Sequence, residues 1–153
     1  MRKLIAIMAL PLALALPIFG GVGGSHAQEQ QMDDMQHKIE SFAKAGPEGA
    51  RLPLSEITDF EWDQVWGFNA ALPIEVFRHR LGDDYTMSEE SQRKLSDDSG
   101  ILVFTLNGEV VGEITTTPPV HFSGLKGDSF GADAGLTVAT PDPGPYSLLR
   151  LEE

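Results

Sequence analysis

Three acidic side chains at alternate positions, Asp59, Glu61 and Asp63, are the first residues in this chain whose spacing suggests chemistry. Paired carboxylates carry out acid and base steps when their surroundings push their pKa values apart, and a cluster of acids attracts cations. The same alternation also describes the solvated face of a half-exposed strand, with Asp63 free to bond to a neighbouring turn. Beyond the first 27 residues the histidines are His37, His79 and His121, spaced 42 residues apart, and none sits in an H-x-x-x-H or H-E-x-x-H ligand pattern. Folding alone can bring His79 or His121 to Asp63. Asp63, His79 and His121 are therefore the candidate site residues, with surface or helix-dipole roles as the alternative for the histidines.

Other chemistries find little support. There is no cysteine, and the nearest serine contexts, Phe122-Ser123-Gly124 and Asp128-Ser129-Phe130, lack the G-x-S-x-G elbow of a nucleophilic hydrolase. The glycine-rich parts, Gly20 to Gly24 and Gly124 to Gly135, contain no G-x-x-x-x-G-K-[ST] phosphate cradle. Asp83-Asp84, Asp97-Asp98 and the run Gly127 to Asp133 are acidic enough to attract Ca²⁺. They lack the D-x-[DN]-x-[DN]-G spacing with a distal glutamate, and read as solvated turns. No residue is assigned as catalytic, cofactor-binding or metal-binding, and no cofactor is implied.

The elements that would position these residues follow from periodicity. Ile57 to Phe68 places Phe60, Trp62, Trp66 and Phe68 on one parity, which predicts a strand with its heavy face on the core. Pro73 to Leu81 predicts a short helix, started by Pro73, stopped at Gly82 and ending in Arg78, His79 and Arg80, whose charges suit its C-terminus. Thr86-Met-Ser-Glu89 resembles a capping box opening one or two turns that end near Leu95. Ile101 to Leu106, Asn107-Gly108 and Glu109 to Thr115 give the clearest local signal, a two-residue type I′ hairpin. Thr116 to Gly135 reads as a long connection with at most one strand, near Val120 to Phe122. Gly135 to Ala139 and Tyr146 to Leu151 read as closing strands around the rigid turn Pro141 to Pro145. The fold class is α+β, a mainly antiparallel sheet built on the hairpin 101–115 with one short helix on one face, and a partly closed barrel is the alternative topology.

Arg2 and Lys3, the apolar run from Leu4 to Phe19 and the small residues ending in Ser25-His26-Ala27 read as a signal peptide cleaved after Ala27. The run is broken at Pro17 and Gly20, short of the roughly 20 apolar residues of a membrane-spanning helix. The expected organisation is a signal peptide over 1–27, a polar tail or marginal helix over 28–50 and a single α+β domain over 51–153. In that tail, Asp33 to Lys44 sets Met35, Ile39 and Phe42 on one thin helical face.

Two of the 11 Lys and Arg lie within the first 27 residues, so nine basic residues face 23 acidic ones in the remainder and its formal charge is −14. Such a surface repels phosphate backbones and anionic lipid, which argues against nucleic acid and membrane as partners. The absence of cysteine leaves the fold to its core alone and excludes a lipid-modified cysteine after cleavage.

The segment Phe60-Glu-Trp-Asp-Gln-Val-Trp-Gly-Phe68 resembles the F-x-W-D-x-V-aromatic-x-F opening of a group of small bacterial exported proteins and lipoproteins with no assigned activity. In that group a helical segment and a hydrophobic hairpin follow, corresponding here to Pro73 to Gly82 and Ile101 to Ile114, about half of the chain after the signal segment. The chain departs from the group in lacking the lipid-carrying cysteine and in having Asn69-Ala70 where an aromatic or proline-containing turn is usual. The resemblance implies fold and export, and no substrate.

These observations point to a periplasmic or secreted, non-enzymatic module that binds a protein or small molecule through its aromatic sheet or the Thr116 to Gly135 connection. An extracytoplasmic hydrolase using Asp63 with His79 or His121 is the alternative, and a purely structural role is a third. Oligomeric state is not encoded in any pattern found.

Overall fold

The computed structural model describes residues 25–95, 99–140 and 147–153. The chain runs α1 (Ser25–Ala45), β1 (Arg51–Pro53), a 3-10 turn (Leu54–Glu56), β2 (Gln64–Asn69), α2 (Ile74–Leu81) and α3 (Glu89–Lys94). It continues through β3 (Gly100–Leu106), β4 (Glu109–Thr115), β5 (Val120–Ser123), β6 (Asp128–Phe130), β7 (Gly135–Thr140) and β8 (Ser147–Glu152). The class is α+β. The strands divide between two four-stranded sheets, ordered β4-β3-β2-β6 and β1-β7-β8-β5, and every neighbouring pair is antiparallel except β5 beside β8.

Local chemistry explains the hairpin. Asn107 and Gly108 have φ of 53° and 85°, the left-handed backbone that a type I′ turn demands at both positions. Beyond the turn the register shifts, so that Val110 pairs with Thr105, Gly112 pairs with Phe104 and Val111 is the extra residue of a β-bulge. Strand β3 is buried on both faces from Gly100 to Thr105, which is why it reads as a continuous apolar run.

That two-sided burial creates two cores. On one face of β3, Leu102 and Phe104 join Val65, Ile114 and the inward residues of the second sheet, including Leu136, Val138, Leu149 and Leu151. On the other face, Ile101 and Val103 pack with Phe68, Phe77, Tyr85 and Met87 beneath α2. Gly67 lets the sheets approach, since a Cβ there would sit 2.6 Å from Leu125 Cδ2 and 3.1 Å from Leu151 Cδ2.

The strand expected over Ile57 to Phe68 is confined to Gln64–Asn69, and its aromatics part company. Trp66 and Phe68 face α2, with Phe68 stacked on Phe77 at 4.2 Å. Phe60 and Trp62 pack edge-on against Phe104 in the other core, at 5.4 and 5.3 Å. The parity breaks because the amides of Ile57 and Thr58 both bond to the Leu54 carbonyl, curling the chain before it becomes extended, and Trp62 Nε1 donates back to Thr58 Oγ1 at 2.9 Å.

The segment read as a tail or marginal helix forms the 21-residue α1, which ends just before Gly46. Met32, Met35, Ile39 and Ala43 line one stripe and are buried in the same core as both sheets. Two further differences concern caps and connections. Helix α3 is capped by Ser88, which accepts from the Ser91 amide at 3.1 Å, because Met87 is drawn into the core and the helix starts only after it. The Thr116 to Gly135 connection holds two strands, β5 and β6, and β1 pairs with β7 from a region that gave no strand signal. The Pro141 to Pro145 turn, Asp97-Asp98 and the signal segment up to residue 24 lie outside the described residues.

Candidate functional site

Asp63 stands directly before β2. Its amide donates to the Thr105 carbonyl at 2.9 Å and its Oδ2 accepts from the Asn107 amide at 2.7 Å, so its carboxylate caps the β3–β4 turn. Its neighbours do not gather around it: Asp59 accepts from the Gln31 side-chain amide, and Glu61 is exposed. His79 is exposed in the last turn of α2. His121 lies half-buried on β5 between Val120 and Phe122, which point into the core, and so it belongs to the opposite face of that strand.

His121 is kept apart from both other candidates. Asp63 is bonded beyond the Leu106 end of β3, whereas the Phe122 side chain packs where a Cβ on Gly100 would be, at the other end. The seven residues of β3 hold these ends about 20 Å apart. His79 follows Phe77, whose ring covers the α2 side of the first sheet, so that sheet stands between His79 and His121. His37 lies on the exposed side of α1, 3.9 Å from Glu40. Among the described residues, no group of three or more His, Asp and Glu is placed to hold a metal ion.

A concave site forms elsewhere, where β4 runs along the edge of its sheet between two helices. Helix α1 approaches the inner face of β4: a Cβ on Gly112 would meet Phe60 Cζ at 2.8 Å and Met32 Cε at 3.1 Å. The α2–α3 segment is tied to the other face by Glu113, which accepts from the Tyr85 hydroxyl at 2.7 Å and from the Ser88 amide at 3.1 Å. Between them lies a cleft of about 360 Å³, floored by Val110 to Thr115 and walled by Met32, Gln36 and residues of α3. Val110, 39% exposed, stands at its mouth.

The walls are polar and ordered. Lys94 Nζ bonds to Glu90 at 2.6 Å, Asp33 at 3.2 Å and Gln36 at 3.1 Å, which ties α3 to α1. Burial alone would lower the pKa of this ammonium, but its bonds to Glu90 and Asp33 outweigh burial and raise it. Burial, then the charge and hydrogen bond of Glu113, push the Tyr85 hydroxyl far above its ordinary value, so it remains a donor. Thr115 also lines the cleft, and its buried hydroxyl has no hydrogen-bond partner among the described residues.

Sequence reasoning missed this site because its three sides come from segments read as a tail, a polar loop and a hairpin. The one available signal was a hairpin strand, Glu109 to Thr115, that pairs on one side and carries neither lysine nor proline. The aromatic residues pack in the two cores, as their heavy face was expected to, and Val120 and Phe122 of the long connection are buried with them, so neither the aromatic sheet nor those two residues present a binding surface. No protein-family model, curated protein or solved structure matches the chain.

Proposed function

We propose that the chain is an exported, non-enzymatic binding module of the periplasm or extracellular medium, and that its ligand occupies the cleft between α1, α3 and β4. The observation that carries this reading is the cleft itself. At about 360 Å³ its volume lies within the span of small-ligand sites, and its lining combines apolar side chains from Met32, Val110, Val111 and Ile114 with convergent polar groups. The hydrogen bonds of Glu113 hold the α3 side to the strand and those of Lys94 hold α3 to α1, all without a ligand, which lowers the ordering cost of binding.

Export is supported by the basic, apolar and small-residue sequence of positions 1 to 27 and by the resemblance of Phe60 to Phe68 to exported proteins. The excess of acidic residues favours uncharged or cationic ligands over nucleic acid.

The test begins with the product recovered from the periplasm or medium of an expressing bacterium, whose amino terminus is expected at Gln28. Isotope-labelled product is then titrated with a small-molecule fragment library and followed by two-dimensional NMR. Fragment-induced shifts concentrated at Lys94, Val110 and Gly112 to Glu113 are expected. Retention in the cytoplasm would remove export from the proposal, and shifts confined to the His121 face of the second sheet would remove the cleft.

A further inference from the structure

The floor of the cleft is an unpaired strand edge, because β4 is the outermost strand of its sheet. The Thr116 amide donates to the Gly100 carbonyl at 3.0 Å. Antiparallel ladders alternate the direction of successive backbone groups, so Ile114 and Gly112, opposite Leu102 and Phe104, direct theirs at β3. Glu113 and Thr115 therefore direct their amides and carbonyls away from the sheet, along the cleft. No other strand of the described residues pairs with that side.

Exposed edges are commonly shielded by charged side chains, proline, a bulge or a covering segment; β4 carries Glu109, Glu113 and a bulge, and its two glutamates turn away acidic strands rather than basic ones. Strand β4 reads Glu-Val-Val-Gly-Glu-Ile-Thr, and α1 and α3 flank it on opposite faces. The bulge at Val110 and Val111 places two branched apolar side chains opposite Thr105, and Val110 is the exposed large apolar residue among those described. Six residues, Val110 to Thr115, line the floor, a run of about 17 Å. That length suits an extended peptide better than a compact ligand.

Charge selects the peptide. Glu89, Glu90 and Glu113 line the cleft against Arg93 and Lys94, a net charge of −1, and with Glu90 and Lys94 paired to each other Glu89 and Glu113 remain against Arg93. An incoming chain meets a net negative surface on a protein of formal charge −12. The same charges disfavour a second copy of the chain. A symmetric β4–β4 pairing centred on Val111 would set each Glu109 opposite Glu113 of the other copy, and like charges directly opposite are destabilising.

We infer that the cleft is a strand-addition site for an extended, basic, β-prone peptide segment, an inference that rests on the cleft being the ligand site. The peptide backbone extends the sheet by bonding to the outward amide and carbonyl of Glu113. Its apolar side chains meet Val110 and Val111, and its lysine or arginine side chains meet Glu89 and Glu113.

The test is fluorescence anisotropy of the exported product with three labelled octapeptides, one alternating Lys and Val, one alternating Lys and Pro, and one alternating Glu and Val. The Lys–Pro peptide carries the same charge as the first but cannot add a strand. Val110→Lys places a like charge at the mouth of the cleft at an exposed position. Glu113→Pro removes the outward amide, and Glu113→Ala is its control for loss of the side chain. Circular dichroism and urea midpoints verify each variant's fold.

Saturable binding of the Lys–Val peptide is expected, with the other two peptides, Val110→Lys and Glu113→Pro each weaker by about tenfold or more, and Glu113→Ala weakened by only about threefold. Equal binding of the Lys–Pro and Lys–Val peptides, insensitivity to Val110→Lys, or a β4-dependent dimer in sedimentation would each overturn the inference. If the Lys–Val peptide fails to bind while fragments still shift Lys94 and Glu113, strand addition falls and the cleft remains a ligand site; if both fail, both readings fall.

Discussion

Replacing Glu113 by Gln removes a charge shared by two segments that lie 25 and 28 residues away in sequence. The carboxylate accepts from Tyr85 Oη at 2.7 Å and from the Ser88 amide at 3.1 Å. Hydrogen bonds to charged groups contribute roughly 1.5 to 3 kcal/mol and neutral ones roughly 1. Glu113 is half-buried, which places each bond at the lower end, and Gln keeps one acceptor oxygen, so the expected loss is about 2 kcal/mol. Tyr85→Phe costs about 1 to 1.5 kcal/mol, and the double variant falls short of the sum by about 1 kcal/mol because one bond is counted twice. Urea unfolding at neutral pH, followed by the emission of Trp62 and Trp66, measures all four corners of the cycle. A coupling below about 0.3 kcal/mol would refute the clasp, and with it the argument that the α3 wall of the cleft is held in place without ligand.

The same tyrosine sets an alkaline limit: an unfolded tyrosine ionises near pH 10 while folded Tyr85 holds its proton to higher pH, so stability is full below about pH 10 and falls above it. Lys94, raised in the same direction, adds to that fall, and the decline measured by urea unfolding across this range should be shallower in Tyr85→Phe than in the parent. Ile39→Ala removes three carbons from a side chain only 1% exposed; at about 0.8 kcal/mol per methylene plus a cavity, a loss near 3 kcal/mol is expected. A loss under about 1 kcal/mol would mean that α1 is not part of the core. Asp63→Ala should cost about 1 to 2 kcal/mol in thermal or urea unfolding, by uncapping the hairpin turn at Asn107, and leave peptide binding unchanged.

How far the fold was legible depended on how local its causes were. The hairpin was readable because Asn107 and Gly108 carry the turn's backbone requirement themselves, and α2 because Pro73 and Gly82 mark its two ends. The α+β class followed from these elements, but the division into two sheets did not. It depends on Arg51 to Pro53 finding Gly135 to Thr137, more than eighty residues away, with nothing in either segment to announce the pairing. Period two also misled over Phe60 and Trp62, because only the fold shows that both faces of β3 need aromatic cover. Helix α1 looked marginal because its buried stripe of Met32, Met35, Ile39 and Ala43 is narrow, and the two sheets that bury it lie outside any sequence window. For Asp63, a bond to a nearby turn was readable as a type of interaction, whereas Asn107 as the partner required the β2–β3 pairing. The cleft was the least legible feature, since its walls meet only in three dimensions.

Amide hydrogen exchange at Glu113, measured residue by residue by NMR with and without the Lys–Val octapeptide, tests the strand-addition site most directly. In the free protein the Glu113 amide, directed away from β3, is expected to exchange faster than those of Gly112 and Ile114, which face it. Saturating peptide should slow Glu113 by about tenfold or more while leaving Gly112 and Ile114 unchanged. An unprotected Glu113 amide in the presence of bound peptide would contradict the account, because the ligand would then lie somewhere other than the edge of β4.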